Sequence, residues 1–84
     1  MVNVLLSPQA QRQVDRLPSV MRARISRLIK RLAQWPEVSG AKALQGRLAG
    51  RFRLRTGDYR LQFRVEAESV IIEKIGHRAG VYEE

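Results

Sequence analysis

Three side chains within six residues, His77, Arg78 and Tyr82 of "GHRAGVY", set a group that titrates near neutrality beside a permanent cation and an aromatic face. Each alone has a plain explanation. A lone histidine is more often a hydrogen-bonded surface residue than a catalyst, and a tyrosine near a C-terminus often covers a core edge. Together they are the parts needed to hold and cleave a single-stranded nucleotide. A second cationic feature lies upstream in "RFRLRTGDYRLQFRV", which carries Arg51, Arg53, Arg55, Arg60 and Arg64 and no glutamate. The planar arginine fork binds phosphate oxygens bidentately and keeps its charge at any accessible pH, so these five read as RNA- or phosphate-binding candidates.

These residues need elements to position them. Period-two alternation over residues 51–56 puts Arg51, Arg53 and Arg55 on one face and Phe52 and Leu54 on the other. Over 59–65, Tyr59, Leu61, Phe63 and Val65 alternate against Arg60, Gln62 and Arg64. With the apolar sides packed inward, both arginine rows share the open face of one sheet. Like charges directly opposite on a sheet cost from tenths of a kcal/mol up to about 1 kcal/mol, so an external anion is expected to offset them. The alternative of a merely solvated face is outweighed by the in-register concentration. A third strand over 70–75 leads to His77, and "TGD" and "EAES" are the hairpin linkers.

Ahead of these strands, Val2, Val4 and Leu6 form a short apolar strand ending at Ser7-Pro8, a serine N-cap with proline at the first helical position. Ala10, Val14 and Leu17 recur at i, i+4 and i+7 until Pro18 stops the helix. A second helix is expected from Ser19 to about Gln34. Its apolar stripe is Met21, Ile25, Leu28, Ile29 and Leu32; Arg22, Arg24, Arg27, Lys30 and Arg31 fall mostly elsewhere. "PEVSGAKALQGRLAG" reads as a connector with one short turn around Ala43 and Leu44. The expected fold class is α+β: a two-helix hairpin on one face of a small, mostly antiparallel four-stranded sheet, in the order β-α-α-β-β-β.

A chain of 84 residues buries little more than roughly 60% of its unfolded surface and sustains one core, so residues 1–84 are read as one domain. Sixteen Lys and Arg against eight Asp and Glu leave a net charge of +8, which argues for a nucleic acid, an anionic membrane or an acidic protein as partner. Membrane is the weakest of these, because no apolar run spans a bilayer and the N-terminus lacks a signal-peptide pattern. A cytoplasmic location follows. Zero cysteines and one histidine offer no metal cluster, so the expected chemistry uses neither metal nor cofactor.

In order and spacing, "LSPQAQRQVDRLP", "ALQGRLAGRFRLRTGDYRLQFRV" and "IIEKIGHRAGVY" resemble the RelE/ParE superfamily of bacterial toxins over nearly the whole chain, and its RelE-like branch more than its gyrase-poisoning ParE-like branch. The most specific pieces are "RFRLRTGDYR" and "GHRAGVY". The resemblance implies a RelE-like fold and the toxin of a type II toxin–antitoxin pair, an endoribonuclease (mRNA interferase) cleaving mRNA in the ribosomal A site. Matched by position, Arg51 and Arg53 take the place of basic strand residues, Arg60 that of the arginine after the hairpin tyrosine, Arg78 that of the late arginine, and Tyr82 that of the C-terminal tyrosine.

Metal-free cleavage needs a group to take the 2′ proton, cations for the phosphorane and an acid for the leaving oxygen. Relatives with lysine on the first of these strands have a candidate base there. This chain has arginine, which is effectively never deprotonated. His77 is the substitute expected from the sequence, with Tyr82 second, as acid or base.

Two alternatives remain open: a ParE-like gyrase-inhibiting toxin without nuclease activity, and a non-catalytic RNA-binding relative that uses the arginine face for phosphate contacts. Both toxin readings imply a cognate antitoxin, acidic and folding on binding, in a toxin–antitoxin hetero-oligomer. The arginines of the second helix and the sheet edges are candidate docking surfaces for it.

Overall fold

Ser7 begins the helical layer as the sequence pattern requires: its hydroxyl accepts a hydrogen bond from the Ala10 amide at 3.0 Å, and Pro8 occupies the first helical position. The computed structural model describes residues 2–77. Strand β1 (Asn3–Leu6) leads into helix α1 (Pro8–Asp15), then helix α2 (Ser19–Leu32), a two-residue strand β2 (Lys42–Ala43), a single 3-10 turn (Gly46–Leu48), and strands β3 (Arg51–Thr56), β4 (Tyr59–Glu66) and β5 (Ser69–His77). Among the described residues no helix is long and apolar enough to cross a membrane.

The strands form one sheet in the order β1-β5-β4-β3-β2. Its β1–β5 pair is parallel and the other three pairs are antiparallel. The sheet therefore has five strands, where the alternation pointed to four. The additional one, β2, lies in the stretch read as a connector. Two residues are too short to show a period, and this strand exists only through its pairing of Lys42 with Arg53 and Ala43 with Phe52.

One face of the sheet meets both helices around a single apolar core. Ala10, Val14 and Leu17 come from α1 and the turn after it, Ile25, Leu28 and Leu32 from α2, and Leu54, Leu61, Phe63, Val70, Ile72 and Ile75 from the sheet. Burying each Leu, Ile or Phe side chain stabilises the fold by roughly 1.5–3 kcal/mol. Trp35, just past α2, sets its ring edge-on to Phe52 (4.8 Å) and Phe63 (5.3 Å). This contact closes the core beneath the connector. The basic residues of α2, Arg22, Arg24, Arg27, Lys30 and Arg31, are all exposed.

Strand β5 is interrupted by a one-residue bulge. Phe63 pairs with Ile72 but Gln62 pairs with Lys74, so Glu73 is the extra residue. β1 pairs with β5 only from Ser69 to Ile72, and beyond that point α1 takes over the edge. The Ser7 hydroxyl donates to the Glu73 carbonyl (3.0 Å), and the Gln13 side-chain oxygen accepts from the Ile75 amide (2.6 Å). Backbone groups that the short strand leaves unpaired are thereby satisfied, and the position of Glu73 is fixed from the helical layer.

Candidate nucleic-acid interface

The open face is built from cross-strand rows. Arg55 stands opposite Arg60, Arg53 opposite Gln62, and Arg51 opposite Arg64, so all five strand arginines share the face away from the helices. The rows extend onto the neighbouring strands. Arg60 pairs with Gly76 on β5, while Lys42, Arg53, Gln62 and Lys74 make one row across β2, β3, β4 and β5. Two of the three β3–β4 pairs on this face are thus arginine against arginine, the arrangement that repels most.

At one end the chain supplies its own counter-charge. Oε1 of Glu73 accepts from Arg51 Nε at 2.8 Å and from Gln62 Nε2 at 3.1 Å, and its Oε2 accepts from Arg64 Nη1 at 2.8 Å. The Glu73 side chain is only 16% exposed. Burial alone would raise its carboxyl toward the neutral form. The hydrogen bonds from Arg51, Gln62 and Arg64, together with the charge of Arg51, outweigh that and hold it below the usual carboxylate value. In turn the hydrogen bond to Glu73 keeps Arg64 more firmly protonated, against a smaller opposing effect of burial and with help from Glu66 at 3.6 Å. Gln62, on this face but buried beneath its neighbours, has a partner in the same carboxylate. Alternation from Ile72 already puts Glu73 on this face, and the bulge brings the next residue, Lys74, to the same side.

Two depressions flank the rows. One, of about 460 Å3, lies over the Glu73 end, between Arg51, Arg64 and Lys74 on the sheet and Arg47 and the start of α1 beside it. The other, of about 440 Å3, is a cleft at the β3 edge whose charged lining is Arg31 from α2, Lys42 from β2, and Arg53 and Arg55 from β3. Arg31 is anchored there through Nη2 to the Ser39 carbonyl at 2.6 Å and to its hydroxyl at 3.3 Å.

The structure brings together Arg51, Arg53, Arg55, Arg60 and Arg64 and places His77 elsewhere. His77 pairs with Tyr59, whose register continues that of the core residues Leu61 and Phe63, and the two rings meet edge to face at 5.5 Å. It is therefore exposed on the helix side at the end of β5, with the sheet between it and the arginine rows. The expectation that His77 could join the arginines is met by a register that points it the other way. Arg78 and Tyr82 lie outside the described residues.

Glu73, Lys42 and Lys74 are functional candidates that the sequence pattern does not single out. A signal for Glu73 does exist: "IIEKI" puts two charged residues between the core isoleucines Ile72 and Ile75, a spacing of three that an unbroken strand cannot bury on one face.

A family model described as the ParE toxin of type II toxin–antitoxin system, parDE, matches residues 4–82. Toxin RelG of Mycobacterium tuberculosis is 34% identical over 82 residues, spanning 94% of this chain and 93% of that protein. Among solved structures, the toxin–antitoxin complex RelBE2 of Mycobacterium tuberculosis is similar with a TM-score of 0.81 and 31% identity, over 93% of this chain and 92% of that one. The isolated E. coli RelE toxin has the same fold at a TM-score of 0.77 and 15% identity, over 92% of this chain and 84% of that one.

Proposed function

The chain belongs to the ParE toxin family of type II toxin–antitoxin systems, within the RelE/ParE superfamily, and on that premise we propose that it is a ribosome-dependent endoribonuclease that cleaves mRNA in the A site. The observation that carries this reading is the Arg55–Arg60 end of the open face. Two arginines stand opposite each other there, in line with Gly76 on β5. Arg78 and Tyr82 follow in the chain just beyond.

In this reading the message lies across the open face. The strand arginines hold successive phosphates, and the scissile phosphate sits at Arg60. The 2′-oxygen attacks the adjacent phosphorus, the bond to the 5′-oxygen breaks, and the products are a 2′,3′-cyclic phosphate and a free 5′-hydroxyl. Arg60 and Arg78 stabilise the charge that builds on the phosphorane, and Tyr82 stacks on or orients the nucleotide. His77, on the helix side with Tyr59, is left out of the proton transfer. We also propose a cognate acidic antitoxin that folds over this cationic face, in a hetero-oligomer, since several chains of like fold were solved as toxin–antitoxin complexes. The setting proposed is the cytoplasm.

The test is cleavage of a defined message on programmed ribosomes, with product ends mapped. Wild-type protein should leave a 2′,3′-cyclic phosphate and a 5′-hydroxyl, and Arg60→Ala and Arg78→Ala should lose the activity. Undiminished cleavage in both variants would sink the mechanism. A second reading, inhibition of gyrase without nuclease activity, is favoured by the ParE description of the matching family. Expression that halts DNA replication before translation would select it.

A further inference from the structure

A proton acceptor is the part that the proposed reaction still lacks. The arginines of β3 and β4 that face the phosphate track stay protonated, the Glu73 carboxylate is taken up by Arg51, Gln62 and Arg64 at the other end, and His77 lies on the other side of the sheet. The short strand β2 changes this inventory. Lys42 stands directly opposite Arg53, and directly opposed residues of an antiparallel pair project from the same face, so Lys42 enters the arginine face from its edge. It continues the row Lys42, Arg53, Gln62, Lys74 and lines the cleft with Arg31, Arg53 and Arg55. Lysine differs from its arginine neighbours in one decisive way: it can give up its proton and act as a base, on a flexible four-carbon stem.

Resting on the ribonuclease reading above, we propose that Lys42 is the general base of the cleavage. The two lysines of the row are not equivalent. Lys74 lines the depression that also holds the Glu73 carboxylate, whereas every charged group lining the Lys42 cleft is a cation: Arg31 from α2, and Arg53 and Arg55 from β3. Those same cations draw a phosphodiester into reach, and Arg31 is already pinned by Ser39. Arg55 belongs both to this cleft and to the pair with Arg60, so it links the cleft that Lys42 lines to the proposed position of the scissile phosphate at Arg60.

In the step itself the neutral Lys42 amine takes the proton from the 2′-hydroxyl. The 2′-oxygen forms its bond to phosphorus and the bond from phosphorus to the 5′-oxygen breaks. The 5′-oxygen then takes a proton from solvent, to which Lys42 returns its own. No metal, oxidant or other reactant is needed.

Lys42→Arg separates charge from proton transfer, because it keeps the cation and removes the base. Lys42 is exposed, so the exchange does not disturb the core. Single-turnover cleavage on programmed ribosomes should fall by about 10²–10⁴-fold in Lys42→Arg and in Lys42→Ala, the range a positioned base contributes. RNA binding by Lys42→Arg should stay within a few-fold of wild type. The wild-type rate should climb with pH along a limb absent from Lys42→Arg, and added primary amines should restore part of the rate to Lys42→Ala but none to Arg60→Ala.

Lys42→Arg cleaving within about threefold of wild type would reduce Lys42 to a phosphate contact and overturn the proposal, as would loss confined to Lys74→Arg. Either result leaves the ribonuclease reading standing. Absence of cleavage by the wild-type protein at every pH sinks that reading and this one with it.

Discussion

The two ends of the arginine face are built from the same pair of strands and differ in what β5 sets beside them. At the Arg51–Arg64 end the bulge of β5 contributes Glu73, which binds both guanidinium groups and Gln62. At the Arg55–Arg60 end the residue in line on β5 is Gly76. The first end is an ion network built around one internal carboxylate, while the second pairs arginine with arginine in line with a glycine of β5. The difference teaches that a basic sheet need not be uniform in purpose. A clamped end holds its arginines on a carboxylate of the same chain, and the other end, a few residues away, is where the proposed reading seats an anion from outside.

The comparison breaks most visibly in catalysis. Removing one preorganised donor to a developing oxyanion typically costs about 10²–10³-fold in rate, so Arg60→Ala should lose that much cleavage of ribosome-bound message. Arg51→Ala, at the clamped end, should lose far less. Equal losses at the two ends would mean that the Glu73 clamp opens when RNA binds, and the distinction between them would collapse.

Stability should respond the other way round. Glu73→Gln takes the charge out of a cluster in which two arginines stay face to face, and it should cost about 1–3 kcal/mol by urea unfolding at neutral pH. Because the folded carboxyl lies below its ordinary value, its contribution is full above the unfolded value of about 4.3 and fades as pH falls through the lower folded value. Wild-type stability should therefore decline on acidification below about pH 4.3, and Glu73→Gln should lack that component. The same substitution should tighten RNA binding, since it releases two guanidinium groups. A protein made less stable and better at binding is the signature of a clamp.

Salt dependence gives a smaller and sharper reading. Each phosphate contact to single-stranded nucleic acid adds about 0.7 to the slope of log affinity against log salt. Arg55→Ala should lower the slope by about that amount, and Arg51→Ala by clearly less, because Glu73 already neutralises Arg51. Slopes measured by anisotropy on a short single-stranded RNA decide it.

Much of this face is legible in the sequence. Arg51 to Arg64 alternate strictly with apolar residues within each strand, and the period of two is enough to assign the side of every arginine among them. The Ser7-Pro8 start of α1 and the Pro18 stop are equally local, because capping depends on neighbours only a few residues away. What stays hidden depends on pairing between distant segments. Lys42 faces the arginines only because β2 docks on β3. Glu73 reaches Arg51 across an intervening strand, from a bulge that breaks the alternation. The side taken by His77 follows from the register beyond that bulge, not from its closeness in sequence to Arg78.

The two hairpin turns test whether stability can be adjusted at one end without touching the other. Both are two-residue loops, and in each the first residue takes a left-handed backbone: Gly57 at φ 59° near the open end, and Ala67 at φ 53° near the clamped end. Glycine accepts this conformation without strain, whereas alanine brings its Cβ too close to the following carbonyl oxygen. Ala67→Gly should therefore relieve strain in the folded state, while giving back part of the gain through a more flexible unfolded chain. The net expectation is a stabilisation of about 0.5–1 kcal/mol, with cleavage rate and salt slope unchanged. Gly57→Ala should lose a similar amount. If Ala67→Gly altered RNA binding as well, the turn at the clamped end would be coupled through Glu66 and Arg64 to the anion-binding surface, and the two ends would have to be treated as one site.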